Sequence, residues 1–165
     1  MLGESRTRGL IDTNVVIHLP ALDPAGLPEE MVISAVTLAE LSAGPHCTDE
    51  PTERAKRMSV LQHAEATFDP LPFDAEAARA YGLIVAAAIA AGRLPRRRIA
   101  DLMIASTAFA HRLPLFTINP SDFAGLDAHV SIVQVGRPSE DRQPGRLPVR
   151  PFTCTRNRIC VLLVP

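Results

Sequence analysis

The sequence predicts an α/β protein in which a central parallel sheet is flanked by helices. Three observations carry that expectation. A short apolar strand gives way to a helix within a few residues at 10–17, and the pattern returns at 31–43; both read as openings of βαβ-type units. Two more apolar strands, at 115–118 and 130–135, come after a long helical stretch. Acidic residues stand at three strand ends or helix starts, and in open parallel sheets the functional crevice lies at the carboxyl ends of the strands.

Each element has a local cause. Leu10 and Ile11 read as buried strand, Thr13 or Asn14 can cap the helix that follows, and Val15, Val16 and Leu19 continue the apolar run to Pro20. Pro24, Gly26 and Pro28 mark 23–30 as a loop. Met31, Val32 and Ile33 form the second strand, Ser34 is a candidate N-cap, and the helix over 37–43 is stopped by Gly44 and Pro45. After a polar loop, 52–68 reads as a mostly polar amphipathic helix with an apolar stripe of Ala55, Met58, Leu61, Ala64 and Phe68. The connector over 69–73 carries Pro70 and Pro72 and can pair briefly as a strand. Asp74 caps a long Ala-rich helix over 75–91, ended by Gly92; its lack of polar side chains after Tyr81 points to burial on more than one face, in the core or at a subunit contact. A helix over 99–112, the strand over 115–118, a turn at 119–123 and the last strand complete the domain.

Composition bounds what such a domain can do. At 165 residues with 47% hydrophobic and 21% charged residues, the chain is expected to be one soluble globular domain. With no Trp, one Tyr and 4% aromatic residues, stacking bases on an aromatic platform is not the expected mode for a nucleic-acid ligand. The apolar run after Arg6 and Arg8 is interrupted by Asp12 and Asn14, unlike a secretory signal, and the Ala-rich run at 83–91 is too short to span a bilayer. No membrane association and a cytoplasmic location follow as expectations. Cys47, Cys154 and Cys160 form no zinc pattern, and the five histidines are scattered.

The acids carry the chemistry. Asp12 ends the first strand, Glu40 lies on the helix after the second, Asp101 is near the start of a very apolar helix, and Asp122 is in the turn after the third strand. Asp12 alone would read as a helix cap, and Glu40 alone as an exposed helix glutamate. Together they can converge at the top of a parallel sheet. Their mutual repulsion must then be offset, and hard oxygen ligands with open water positions suit Mg²⁺ or Mn²⁺. Such ions polarise a phosphodiester and lower the pKa of a bound water, which is the chemistry of phosphodiester hydrolysis.

Four stretches extend this reading: Leu10-Ile11-Asp12-Thr13-Asn14, Ile33-Ser34-Ala35-Val36-Thr37-Leu38-Ala39-Glu40-Leu41, Ala100-Asp101-Leu102-Met103-Ile104-Ala105, and Thr117-Ile118-Asn119-Pro120-Ser121-Asp122-Phe123. In that order the chain resembles the PIN-domain ribonucleases and, within them, the VapC toxins of prokaryotic VapBC toxin-antitoxin pairs. The resemblance spans 10–135. It implies a PIN-like fold, Mg²⁺- or Mn²⁺-dependent endoribonuclease activity, and a cognate VapB-like antitoxin whose C-terminal segment occupies the active site. It also implies that Asp12, Glu40 and Asp101 hold the metal. For the fourth position some members have an acid where Asn119 stands, and many toxins have this Asn with an Asp three residues on; Asp122 is taken as the ligand and Asn119 as its support. Thr13, Asn14 and Thr117 are expected to orient carboxylates or a water.

Two charge features complete the expectation. Residues 1–135 carry 11 Lys and Arg against 16 Asp and Glu, a balance of −5; residues 136–165 carry 6 Arg against 2 acids, a balance of +4. The second segment, rich in Pro and Arg, is expected to be a disordered tail outside the nuclease domain, with an RNA-binding arm, a partner-docking peptide or no function as its alternatives. Arg93, Arg96, Arg97 and Arg98 directly precede the helix of Asp101 and are candidates for RNA backbone contact beside the acids. A homodimer through the apolar face of the helix at 81–91 is also expected. The rival functions are a non-catalytic PIN-like partner-binding domain, which would not need four acids, and an aspartate-dependent phosphatase, which would want a second Asp at the position of Asn14.

Overall fold

β-Branched and leucine side chains at 10–11, 32–33, 115–118 and 130–135 leave little choice but burial on both faces of a sheet, and the computed structural model, which describes residues 8–93 and 95–137, shows that arrangement. The elements run β1 (Arg8–Ile11), α1 (Thr13–His18), β2 (Glu30–Val32), α2 (Ala35–Ala43), α3 (Pro51–Thr67), α4 (Ala75–Ala90), α5 (Ile99–Ala110), β3 (Leu115–Thr117) and β4 (Ile132–Gln134). Among the described residues the strands pair in the order β2-β1-β3-β4, all parallel. In register, Leu10 lies beside Val32 on one side and Leu115 on the other, and Ile11 beside Phe116.

Alternation along the strands divides the core in two. Leu10, Val32 and Leu115 pack with Ile84 and Ala88 of α4 and Leu102, Ala105 and Ala108 of α5; Ile11, Ile33 and Phe116 pack with Val15 and Val16 of α1, Leu41 of α2 and Ala64 of α3. The result is a helix–sheet–helix sandwich. Gly9 is required on β1 because a Cβ there would clash with the buried Phe116 ring. Gly92 ends α4 at φ 72°, the left-handed conformation that glycine adopts without cost.

Several expectations of detail are corrected. Asp12 itself, and not Thr13 or Asn14, is the N-cap of α1, its Oδ1 accepting from the Thr13 N–H at 2.7 Å. Ser34 caps α2 as expected, accepting from the Thr37 N–H at 3.0 Å, and the connector pairs through one parallel bridge between Ser34 and Leu71. The buried side of α3 is Arg57, Val60, Leu61, Ala64 and Phe68, while Ala55 and Met58 of the expected stripe are exposed. The face is turned by Arg57, which lies buried with Nε bonded to Glu53 at 2.9 Å and Nη1 to the Gly44 carbonyl at 3.1 Å. On α4 only one face is buried in this chain, through Ala77, Ala80, Ile84 and Ala88; Leu83 and Ile89 remain 54% and 59% exposed. Among the described residues no helix is long and apolar enough to cross a membrane. Of the Pro- and Arg-rich tail, residues 138–165 lie outside the described residues.

Candidate functional site

The strand order places a topological switch between β1 and β3. The chain passes from β1 to β2 on one side, then returns across the sheet to β3 on the other, and the carboxyl ends of the two strands at such a point flank a crevice. Asp12 follows β1 directly and Thr117 ends β3. The Thr117 hydroxyl donates to Asp12 Oδ2 at 3.0 Å across the gap, and the Asn119 N–H donates to Thr117 Oγ1 at 3.1 Å. Both Asp12 oxygens are thus directed, one to the α1 backbone and one to β3, with the residue only 2% exposed.

The other acids arrive from three separate elements. α2 begins at its Ser34 cap, which brings Glu40 opposite the start of α1, where the Thr13 hydroxyl donates to Glu40 Oε2 at 2.6 Å. Asp101 is in the first turn of α5, whose N-terminal dipole favours negative charge. Asp122 stands in a 3-10 turn over Pro120–Phe123, with Asn119 at its start, and its Oδ1 accepts from Arg98 Nη1 at 2.8 Å. Asn14 is half-buried in the first turn of α1.

Electrostatics binds these four into one group. Burial pushes the Asp12 carboxyl up to about 6 against the counteracting bonds from Thr117 and Thr13, and the charges of Glu40 and Asp122 push it further. Asp101 rises to about 7, first through burial, then through Asp12, Glu40 and Asp122, with Arg98 opposing. Glu40 is raised by burial and lowered by its Thr13 bond. Residues up to 110 positions apart in sequence are therefore brought close enough to repel one another.

The donor set tests what cation would fit. It consists of carboxylate oxygens with hydroxyls behind them, with no thiolate or imidazole, which suits a hard divalent ion such as Mg²⁺ or Mn²⁺. Among the described residues no group of three or more His, Cys, Asp or Glu side chains is arranged to hold an ion as it stands. Two of the oxygens already accept from threonines and one from Arg98. The residues fit the ion in donor chemistry, while Thr13, Thr117 and Arg98 occupy oxygens it would use.

The arginines of the run differ in exposure. Arg96 is exposed and Arg93 half-buried, whereas Arg98 is turned inward onto Asp122, both side chains being 30% exposed. Arg97 lies in the 3-10 turn over Pro95–Arg97, its side chain outside the described residues. The Arg98–Asp122 pair was not legible from sequence, since 24 residues separate them; the adjacency of an arginine to the Asp101 helix was the available signal. A separate cavity of about 360 Å³, lined by Phe109, Leu113, Pro114 and Ser131 among others, lies by the amino ends of β3 and β4, and none of the four acids lines it.

With this geometry in place, comparisons with known proteins give it a context. The model of the PIN domain matches residues 10–128. Over 132 residues the chain is 37% identical to Ribonuclease VapC5 of Mycobacterium tuberculosis, covering 77% of this chain and 95% of that protein. Over 125 residues it is 38% identical to Ribonuclease VapC4 of the same organism, covering 72% of this chain and 91% of that one. Among solved structures it is similar to VapBC-5 from Mycobacterium tuberculosis, a member of the VapBC family of toxin-antitoxin systems, with a TM-score of 0.69 at 36% identity over 78% of this chain and 99% of that one.

Proposed function

The chain belongs to the PIN domain family, and from that premise we propose that it is a divalent-cation-dependent endoribonuclease acting as the toxin of a type II toxin-antitoxin pair. The observation that carries the reading is the mutual repulsion of Asp12, Glu40, Asp101 and Asp122 at the switch point between β1 and β3. Names of relatives support the substrate class, since two of them are called ribonucleases. The partner class is supported by likeness to a toxin-antitoxin complex, and a VapB-like antitoxin and a cytoplasmic location are part of the proposal. Residues 1–135 are assigned to the nuclease domain and 136–165 to an appended tail.

Asp12, Glu40, Asp101 and Asp122 would hold one or two Mg²⁺ or Mn²⁺ ions. When bound, such an ion supplies charge neutralisation for the scissile phosphate and the leaving oxygen, and a water of lowered pKa. The chain's own residues do the positioning. Thr117 holds the Asp12 carboxylate at the end of β1, and the Asn119 N–H in turn holds the Thr117 hydroxyl. Thr13 orients Glu40. The first turn of α5 presents Asp101 with its charge favoured by the helix dipole. Arg93 and Arg96 supply positive charge beside the acids for approach of the phosphate backbone.

Two experiments test this. The purified protein is expected to cleave generic single-stranded RNA in Mg²⁺ and to stop in EDTA; cleavage that persists unchanged in EDTA contradicts the cation requirement. Expression in a bacterial host is expected to arrest growth, with relief on co-expression of the partner encoded beside it; harmless expression of soluble, active protein contradicts the toxin role.

A further inference from the structure

We propose that Arg98 is an internal counter-ion of the acidic site that gives up Asp122 when a divalent cation binds and then pairs with the RNA backbone. This rests on the cation-dependent nuclease reading above and adds to it a coupling between ion and substrate.

The starting point is a conflict of charges. Arg98 Nη1 lies 2.8 Å from Asp122 Oδ1, and its charge also bears on Asp101. Two of the four carboxylates that would surround the cation are therefore already partly neutralised by a guanidinium. That group cannot lose its proton to make way. A divalent ion bound by Asp101 and Asp122 would stand within a few ångströms of it, and like charges that close disfavour one another. Withdrawal of the guanidinium relieves the conflict.

Only the side chain of Arg98 is free to move. Its N–H donates to the Pro95 carbonyl at 2.9 Å, and its own carbonyl accepts from Leu102 N–H at 3.0 Å as α5 begins. The backbone stays put while the side chain, 30% exposed, has solvent beside it. Released from Asp122, the guanidinium remains tethered next to the acids. A guanidinium fork matches phosphate oxygens in pairs, so the ligand it would take there is a phosphodiester of the strand lying over the cation. In the ion-free state the same residue stabilises a cluster of repelling carboxylates; in the loaded state it contributes to substrate affinity. Arg96, exposed and without such a pair to Asp122, lacks the first of these roles.

The test measures cation binding and RNA affinity separately. In titration calorimetry without RNA, Arg98→Gln is expected to bind Mg²⁺ or Mn²⁺ about three- to tenfold more tightly than the parent, because a competing cation is gone. In steady-state cleavage its KM for single-stranded RNA is expected to rise, and the salt dependence of kcat/KM to flatten by about 0.7, one phosphate contact on a single strand. Arg98→Lys keeps the charge and loses the fork; it should bind the ion within about twofold of the parent while its KM rises. Ion binding by Arg98→Gln that is unchanged or weaker overturns the proposal and leaves Arg98–Asp122 as a structural ion pair. An unaltered KM and salt slope in both variants also overturns it. If neither the parent nor the variants bind either ion, the cation reading itself has failed, and the coupling falls with it.

Discussion

Asp12 ties two elements together with one carboxylate: Oδ1 caps α1 and Oδ2 accepts from Thr117 of β3. Its position after an apolar strand made it legible in the sequence, as did the placement of Glu40 after a capped helix start. The threonine bonds were expected only in kind, and the inward turn of Arg98 was not expected, because side-chain direction depends on a loop conformation that the sequence does not encode locally. Thr117→Val tests the orientation. It removes the hydroxyl at nearly constant volume, leaves Asp12 with less support for its charge, and should reduce RNA cleavage about tenfold while the protein stays folded by circular dichroism; undiminished cleavage would remove Thr117 from the site.

The pKa shifts also have a sign in stability. Asp12 and Asp101 are raised to about 6 and about 7, so the folded protein binds protons at pH values where the unfolded chain does not. In the absence of cation the cost of holding both ionised is fully present above about pH 7. It is relieved as pH falls through these values, and the relief is complete near pH 4, where the unfolded chain also protonates. The helix-capping carboxylates Glu50 and Asp74 act oppositely: bonds from backbone N–H groups lower both, and their contribution is lost only as pH falls below the ordinary carboxylate range. Between pH 8 and 5, in EDTA, Asp12 and Asp101 are therefore expected to raise Tm on acidification, against an opposing contribution from His18, whose imidazole burial pushes down. Mg²⁺ should raise Tm at pH 8 much more than at pH 5. A Tm that falls steadily from pH 8 to 5 would contradict the burial of these acids.

At the scale of elements, hydrophobic period gave the existence and order of helices and strands, but not which face of a polar helix is buried. On α3 the buried side includes a charged residue, Arg57, because Glu53 and the Gly44 carbonyl satisfy its guanidinium inside the fold. That couples α3 to the end of α2, the helix that carries Glu40. A second constraint of this scale is the contact of β1 with β3. Gly9→Ala drives a Cβ into the Phe116 ring, and overpacking of a filled core typically costs about 1–3 kcal/mol. Urea unfolding should show that loss; a variant as stable as the parent would mean the ring can move aside.

The exposed apolar residues of α4 belong to the same scale. Leu83 and Ile89 lie exposed on α4 on either side of the buried stripe of Ile84 and Ala88, and exposed apolar side chains of this kind are the expected contact of a homodimer. Sedimentation of the parent should give a dimer mass at micromolar concentration, and Leu83→Glu with Ile89→Glu should give a monomer. A monomeric parent would contradict this assignment without touching the site.

For the whole molecule, the strand order gives the site its location. A chain that crosses from β2 over β1 to β3 brings the start of α1, the middle of α2, the first turn of α5 and the turn after β3 to one edge, so residues 12, 40, 101 and 122 meet although no two share an element. The acids were readable as a set because Asp12, Asp101 and Asp122 stand at strand ends or helix starts and Glu40 lies on the helix that follows a strand. Their convergence required the topology, which a family resemblance supplied and periodicity alone could not. With a net charge of −5, residues 1–135 would repel the phosphates of an RNA substrate, which the proposed cation and nearby arginines would offset.

The most direct measurement is cleavage of single-stranded RNA by Asp101→Asn in Mg²⁺, beside the parent and with folding checked by circular dichroism. The substitution keeps the side-chain shape and removes one of the charges that would hold the ion. Loss of at least about a hundredfold in rate, equivalent to about 2.7 kcal/mol of barrier, with the fold intact, is the expected result. Cleavage at the parental rate by the folded variant would show that Asp101 is no part of a catalytic cation site.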